Sequence, residues 1–154
     1  MGEHMAQSTQ ADHPAEKSPA FNYALARMVE RRLAEERATA RRVPFPPAGE
    51  AAVFDFRPED LREFEEQHGS FWYDEVEARL LASSPATVLR CLEIGLKRVG
   101  ALGDLYPMPV DPNALPFSLS EAGEPALDAI TRSIFGKSRA EIVAEIEARL
   151  TAEA

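Results

Sequence analysis

The first apolar pattern along the chain lies between residues 20 and 42 and has helical spacing. Its apolar positions recur about every 3.6 residues and comprise Phe21, Leu25, Met28, Val29 and Leu33. Ser18 and Pro19 precede these positions, which is typical of a helix start. Beyond residue 33 charged side chains replace the apolar ones. The sequence therefore predicts a helix whose second half has little to bury.

Two further helices are predicted on either side of Gly69. Pro58 suits the first position of a helix that runs to about residue 68, where the glycine ends it. The next helix is predicted over about 71–82, and it starts with three aromatic residues in a row.

The aromatic run consists of Phe71, Trp72 and Tyr73. Three consecutive side chains spread over about 200° of a helix, which is wider than one buried stripe. At least one of the three rings must therefore face away from the main core. A second internal cluster and a protein-binding patch explain this arrangement equally well.

The longest apolar stripe runs from Val88 to Leu102. It predicts one helix that begins at Pro85 and ends near residue 102, where two glycines lie close by. Gly95 interrupts the stripe. Because glycine costs about 1 kcal/mol against alanine inside a helix, its presence predicts close packing at this point.

Two helices are predicted at the end of the chain, and each begins with a capping-box spacing. Ser118 stands three residues before Glu121, and Ser138 stands three residues before Glu141. The apolar face of the last helix comprises Ile142, Val143, Ile146 and Leu150. Both helices are therefore predicted to be amphipathic.

Only one segment, residues 52–56, has the alternation that is typical of a strand. Residues 43–46 are a poor edge partner for it because of their prolines, and pairing with another chain is the alternative. Residues 104–119 contain four prolines and several apolar side chains, so we expect a loop that packs along the domain or contacts a partner.

Together these patterns predict a mainly α fold: a small orthogonal array of five or six helices with at most a short β element near 52–56. The expected organisation is a disordered tail at 1–18 with a cloning remnant, a basic helix at 19–42, a proline-rich linker at 43–51 and a helical domain at 52–154.

Charge is distributed unevenly over the 154 residues, whose net charge is −9. Residues 21–42 carry +3, and residues 43–79 carry −7. Candidate electrostatic contacts are the basic side chains Arg31, Arg32, Arg37, Arg41 and Arg42 and the acidic side chains Glu59, Glu63 and Glu66. A solvated surface is the alternative to a partner contact for both groups. The acidic balance argues against general nucleic-acid binding, which requires a basic surface.

The sequence contains little that suggests catalysis, a cofactor or a metal site. A glycine-rich phosphate loop, a Gly-x-Ser-x-Gly elbow and a Cys-x-x-Cys pair are all absent from it. The single Cys91 excludes an internal disulfide framework and fits a reducing cytoplasm, which is the expected location. No apolar run approaches the ~20 residues of a membrane span. We expect a protein that is not an enzyme and that binds no cofactor, metal or membrane.

Two segments carry a resemblance to a known family. Residues 53–69 read Val-Phe-Asp-Phe-Arg-Pro-Glu-Asp-Leu-Arg-Glu-Phe-Glu-Glu-Gln-His-Gly, and residues 88–100 form a helix candidate with an Ile-Gly-Leu centre. This order is similar to that of the small tail assembly chaperones of tailed phages and gene transfer agents, over roughly residues 53–136. The arginine-rich helix at the start and the proline-rich 104–119 segment depart from the family pattern.

The resemblance implies a non-enzymatic chaperone or adaptor that binds an apolar, helical tape-measure or tail-tube protein before assembly. The residues of this chain that we expect at such a surface are Phe71, Trp72, Tyr73, Tyr106, Met108 and Val110. An acidic inhibitor that mimics nucleic acid is the alternative, because residues 43–79 are strongly acidic.

Overall fold

A computed structural model describes residues 18–153, and the chain divides after Thr39 into two compact units. The tail predicted at 1–18 lies outside the described residues except for Ser18. Helix α1 (Pro19–Ala40) makes up nearly all of the described part of the first unit. The Ser18 hydroxyl accepts a hydrogen bond from the Phe21 amide at 3.2 Å, which places a capping residue where the sequence predicts the helix start.

The second unit contains four short strands and five helices within its described part. Its elements are β1 (Val43–Pro44), β2 (Ala52–Phe54), α2 (Pro58–His68), α3 (Trp72–Leu81), α4 (Pro85–Gly95), β3 (Leu96–Val99), β4 (Leu105–Pro107), α5 (Leu119–Phe135) and α6 (Arg139–Glu153). Single 3₁₀ turns cover Pro46–Ala48 and Gly69–Phe71. The protein is mainly α with a small antiparallel sheet, so the predicted fold class is confirmed.

The sheet has the order β1-β2-β3-β4, and every neighbouring pair is antiparallel. The strand predicted near 52–56 is β2, and its edge partner β1 pairs Val43 with Phe54. On its other side β2 pairs Val53 with Lys97 of β3. Of the two alternatives for this strand, the structure therefore has the edge pairing with residues 43–46, and the sheet also includes two strands that the sequence did not indicate.

The helix predicted over 85–102 is wrong in its second half, because α4 ends at Gly95 and β3 follows directly. Leu96 turns into the core with 2% of its surface exposed, whereas Leu102 is 93% exposed. Gly95 does allow close packing, as predicted: a Cβ there would lie 2.2 Å from the Phe56 ring. Strand pairing with β2 satisfies backbone groups that a longer helix would have satisfied internally.

The linker predicted at 43–51 is also wrong, since this segment belongs to the core of the second unit. Phe45 is 1% exposed, and its ring centroid lies 5.0 Å from that of Phe54 and 4.9 Å from that of Phe117. The prolines occupy an edge strand and a 3₁₀ turn, where a missing N–H costs little. The boundary between units therefore lies near residue 40.

Helix α5 is the centre of the second unit and packs against both α3 and α4. Gly123 brings α5 close to α3, because a Cβ at this position would lie 2.4 Å from the Leu80 carbonyl oxygen. The segment 104–119 includes β4 and continues along the core, where Phe117 is buried, so its predicted packing along the domain is confirmed. Its regular strand was not predicted.

Candidate protein-binding site

An apolar groove lies between α3, α5 and α6. It encloses a cavity of about 480 Å³, and its apolar walls comprise Tyr73, Phe135, Ile142, Val143 and Ile146. Side chains of α6 contribute one wall and remain partly open to solvent: Val143 is 47% exposed and Ile146 is 48% exposed. A concave apolar surface of this kind is the usual form of a peptide- or ligand-binding site.

Capping groups at the α5–α6 connection fix the position of the α6 wall. Gly136 ends α5 in the left-handed conformation, with φ of 72°. The Ser138 amide then donates to Glu141 at 2.9 Å, and the Glu141 amide donates to the Ser138 hydroxyl at 3.0 Å. The bond from the Ser138 amide to the Glu141 carboxylate lowers the pKa of Glu141 below its usual value. The predicted capping box is confirmed, and it starts α6 beside the groove.

The floor of the groove presents polar atoms that already have partners. The Tyr73 and Thr131 hydroxyl oxygens lie 2.7 Å apart, and the Thr131 hydroxyl donates to the Leu127 carbonyl at 2.8 Å. Tyr73 is therefore the donor to Thr131, because each hydroxyl has one proton. Since this pair needs no further partner, the floor favours an apolar occupant.

The rim of the groove is charged, and most of its charges are paired. Arg139 lies 3.0 Å from Glu77, and Lys137 lies 2.6 Å from Glu145. Arg149 also borders the groove, but it makes no ion pair with any residue in 18–153. The groove therefore has one uncompensated positive charge on its rim.

The three predicted aromatic residues take different environments. Trp72 stacks on Phe64 with ring centroids 6.1 Å apart, and Tyr73 meets Phe135 edge-on at 5.7 Å. Phe71 is 79% exposed. Trp72 and Tyr73 are therefore partly buried against the main core, whereas Phe71 faces away from it, as the wide aromatic fan predicts for at least one ring.

The structure does not join the aromatic run and the 104–119 loop into one surface. Trp72, Tyr73 and Tyr106 line three different cavities. Met108 and Val110 are partly buried against the core, and Tyr106 packs under the Arg98 guanidinium at 4.9 Å. Of the six residues expected at a partner surface, Tyr73 alone contributes to the apolar groove described here.

Sequence reasoning missed the groove itself. It identified the apolar positions of α5 and α6 correctly, but it assigned them to helix faces without indicating that α6 would leave its face open. The useful sequence feature is the apolar stripe of α6, none of whose residues is buried in the described part of the chain.

The predicted basic patch is divided between the two units. Arg31, Arg32 and Arg37 are exposed on α1. Arg41 instead donates to the buried carboxylate of Asp55 at 2.6 Å, and Arg42 borders the same pocket. Arg41 therefore has an acceptor within its own unit.

The predicted acidic face is partly neutralised within the protein. Glu63 accepts two hydrogen bonds from Arg90, at 2.6 and 2.5 Å, and this pairing lowers the pKa of Glu63. Glu59 lies 3.2 Å from Arg57, and Glu66 is exposed. Among the described residues 18–153, Glu66 therefore has no ion-pair partner, unlike Glu59 and Glu63.

Other chemistry is sparse in the part of the chain that the structure describes. Burial raises the pKa of the Cys91 thiol to about 12, which keeps it protonated and unreactive near neutral pH. Between residues 18 and 153, no group of three or more His, Cys, Asp and Glu side chains is arranged to hold a metal ion. Over the same residues, no helix has the length and apolarity to cross a membrane.

In comparisons with known proteins, no family model matches the chain, and no curated protein or solved structure matches it.

Proposed function

We propose that this protein is a non-enzymatic assembly chaperone or adaptor that holds an amphipathic helix of a partner in the groove between α3, α5 and α6. The single observation that supports the proposal most strongly is the groove itself, with its apolar walls and its satisfied floor. Such a surface fits the helix-in-groove mode of peptide recognition.

The shape of the groove favours a helix as the occupant. Helices α3, α5 and α6 all line it, and the apolar positions of α6 recur at three- and four-residue spacing. The side-chain ridges of a partner helix can pack into the grooves of a helix surface that has this spacing. The unpaired Arg149 favours a partner helix that carries a carboxylate beside its apolar stripe.

The sequence resemblance supplies the biological setting of the proposal. Tail assembly chaperones of phages and gene transfer agents bind apolar helical tail proteins before assembly. The expected partner is therefore a tape-measure or tail-tube protein, held transiently so that its apolar stripe does not aggregate.

The test is co-purification with co-expressed phage-type tape-measure and tail-tube proteins, followed by a titration of the recovered partner. Ile146→Glu introduces a charge into the α6 wall, and we expect it to weaken binding at least tenfold. Leu81→Glu is the matched control, because Leu81 is 49% exposed on α3 and does not line the groove. This control should bind like the wild type.

Two results would refute the proposal. One is that the wild-type protein recovers neither tail protein. The other is that Ile146→Glu and Leu81→Glu weaken binding equally, which would place the contact elsewhere on the surface.

The acidic inhibitor receives less support from the contacts. A mimic of nucleic acid presents free carboxylates to a basic partner, whereas Glu63 is held by Arg90 and Glu59 is held by Arg57. Reversing Glu66 should therefore leave binding to a tail protein unchanged.

A further inference from the structure

A second pocket, of about 330 Å³, lies among β3, β4, the start of α2 and the segment that follows β2. One of its walls contains Asp55, whose side chain is completely buried. The Asp55 Oδ1 atom accepts a hydrogen bond from Arg41 Nε at 2.6 Å. The other carboxylate oxygen, Oδ2, accepts no hydrogen bond from any described residue. A buried carboxylate oxygen without a partner is rare in proteins and indicates a missing donor.

A complementary donor borders the same pocket. Arg42 Nε is buried and, within residues 18–153, donates to no acceptor. Lys97 also lines this pocket, but its ammonium donates to the Asp55 carbonyl oxygen at 2.7 Å and to Asp60 at 3.3 Å, and neither bond reaches Asp55 Oδ2. Asp55 Oδ2 and Arg42 Nε are thus one acceptor and one donor that the described residues leave unused, and both are enclosed behind the pocket lining, so a ligand reaches them when the half-buried Arg42 side chain shifts.

The charges and walls of the pocket restrict the chemistry of its ligand. Its charged lining comprises Arg41, Arg42, Arg57, Lys97, Asp55, Asp60 and Glu93, which gives a net charge of +1. A positive pocket disfavours an ammonium group as the donor to Asp55 and favours an anionic acceptor for Arg42. Ile94, Leu105 and Tyr106 add an apolar wall. The ligand therefore has a carboxylate, a neutral N–H or O–H group close to it, and an apolar side chain.

We propose that this pocket binds the carboxyl-terminal residue of a polypeptide. The terminal carboxylate accepts a hydrogen bond from Arg42, and the amide N–H of the same residue donates to Asp55 Oδ2. Peptide carboxyl termini are captured in this way by clusters of fixed donors. The site is separate from the groove between α3, α5 and α6, so it holds whether or not that groove binds a helix.

The experiment is a titration of the ¹⁵N-labelled full chain, followed by NMR. The probe is N-acetylglycyl-leucine with a free carboxylate, and its carboxamide and acetate are the comparison ligands. We expect shift changes at the amides of Arg42, Asp55 and Leu105, and at least tenfold weaker binding of the carboxamide. Acetate, which lacks the N–H donor, should also bind at least tenfold more weakly than the peptide.

Two variants test the assigned contacts. Arg42→Gln removes the cationic donor and should weaken the peptide at least tenfold. Asp55→Asn keeps an oxygen for Arg41 but directs an N–H₂ group at the ligand amide, so it should weaken binding similarly while the spectrum stays folded. Arg79→Gln is the control for the loss of one positive charge, because Arg79 pairs with Glu75 outside the pocket. It should bind like the wild type.

Three outcomes would overturn the proposal. Equal binding of the carboxamide would remove the carboxylate contact, and equal binding of acetate would reduce the site to a nonspecific anion contact. An absence of shifts at millimolar peptide would mean that water alone satisfies Asp55 and Arg42.

Discussion

Helices α1, α5 and α6 all have apolar residues at helical spacing, but the apolar face is most sharply separated in α5, and the three helices differ in burial. Seven residues of α5 are buried, whereas none of the residues of α1 or α6 is buried within the described part of the chain. An apolar stripe therefore predicts a helix, but it does not predict what will cover the stripe. In α5 the cover is intramolecular, since α3 and α4 pack on it. In α6 the stripe instead forms one wall of a groove.

The largest difference in the free energy of unfolding should appear when a phenylalanine is truncated in the core of the second unit and, for comparison, in α1. Phe54 is fully buried in β2, whereas Phe21 is 48% exposed on α1. Phe54→Ala removes a packed ring and leaves a cavity, so we expect a loss of about 3–5 kcal/mol in the free energy of unfolding. Chemical denaturation followed by circular dichroism measures this loss. Phe21→Ala is the matched control and should change stability by about 0.5 kcal/mol or less.

A smaller effect should follow from filling the close contact between α5 and α3. Gly123→Ala suits the helical backbone, but the new methyl would lie 2.4 Å from the Leu80 carbonyl oxygen. Because backbone must move to relieve this clash, we expect a loss of about 1–3 kcal/mol despite the better helix propensity of alanine. Denaturant unfolding checks this value. A stabilised variant would contradict the packing of α5 on α3.

The ion pair between Glu63 and Arg90 should have a smaller and pH-dependent effect. Glu63→Gln breaks a bidentate pair that is partly open to solvent, so we expect a loss of about 1 kcal/mol near neutral pH. The pKa of Glu63 is lowered in the folded protein by the hydrogen bonds from Arg90. The stabilisation is therefore present above the ordinary pKa of 4.5 and is lost as the pH falls below it.

Unfolding curves of the wild type and Glu63→Gln at several pH values measure this dependence. Glu66→Gln removes the same charge from an exposed position on α2 and serves as the control. A stability difference that stays constant down to strongly acidic pH would rule out the charge pairing as its cause.

Much of the fold could be predicted because its information is local. Pro58 and Gly69 mark the ends of α2, and the Ser138–Glu141 capping box marks the start of α6; each works through neighbours within four residues. Strand β3 could not be predicted in the same way. Leu96 continues the apolar stripe of α4, and its strand conformation depends on β2, which lies more than forty residues earlier in the chain.

The candidate sites were less predictable than the fold for the same physical reason. The groove combines Tyr73, Thr131 and Ile146, and the second pocket combines Arg42, Asp55 and Leu105. Each set comes from separate elements that tertiary packing brings together. Asp55 has the appearance of an ordinary polar residue after a strand, and its complete burial without a partner for Oδ2 is visible only in three dimensions.

The smallest change in the free energy of unfolding is expected for a truncation in α1, which has no buried residue in the described part of the chain. Leu25→Ala truncates a side chain that is 48% exposed, so the free energy of unfolding of residues 40–153 should change by about 0.5 kcal/mol or less. Helix α1 has no buried residue within the described part of the chain, and its local support includes the Ser18 cap and an Arg32–Glu36 pair at 3.7 Å. Its amides should therefore exchange with solvent long before those of α4, because no buried contact holds them. Hydrogen exchange measured by mass spectrometry compares the two helices directly. Protection of α1 equal to that of α4, together with a large loss of stability in Leu25→Ala, would show that the stripe of α1 is covered in solution.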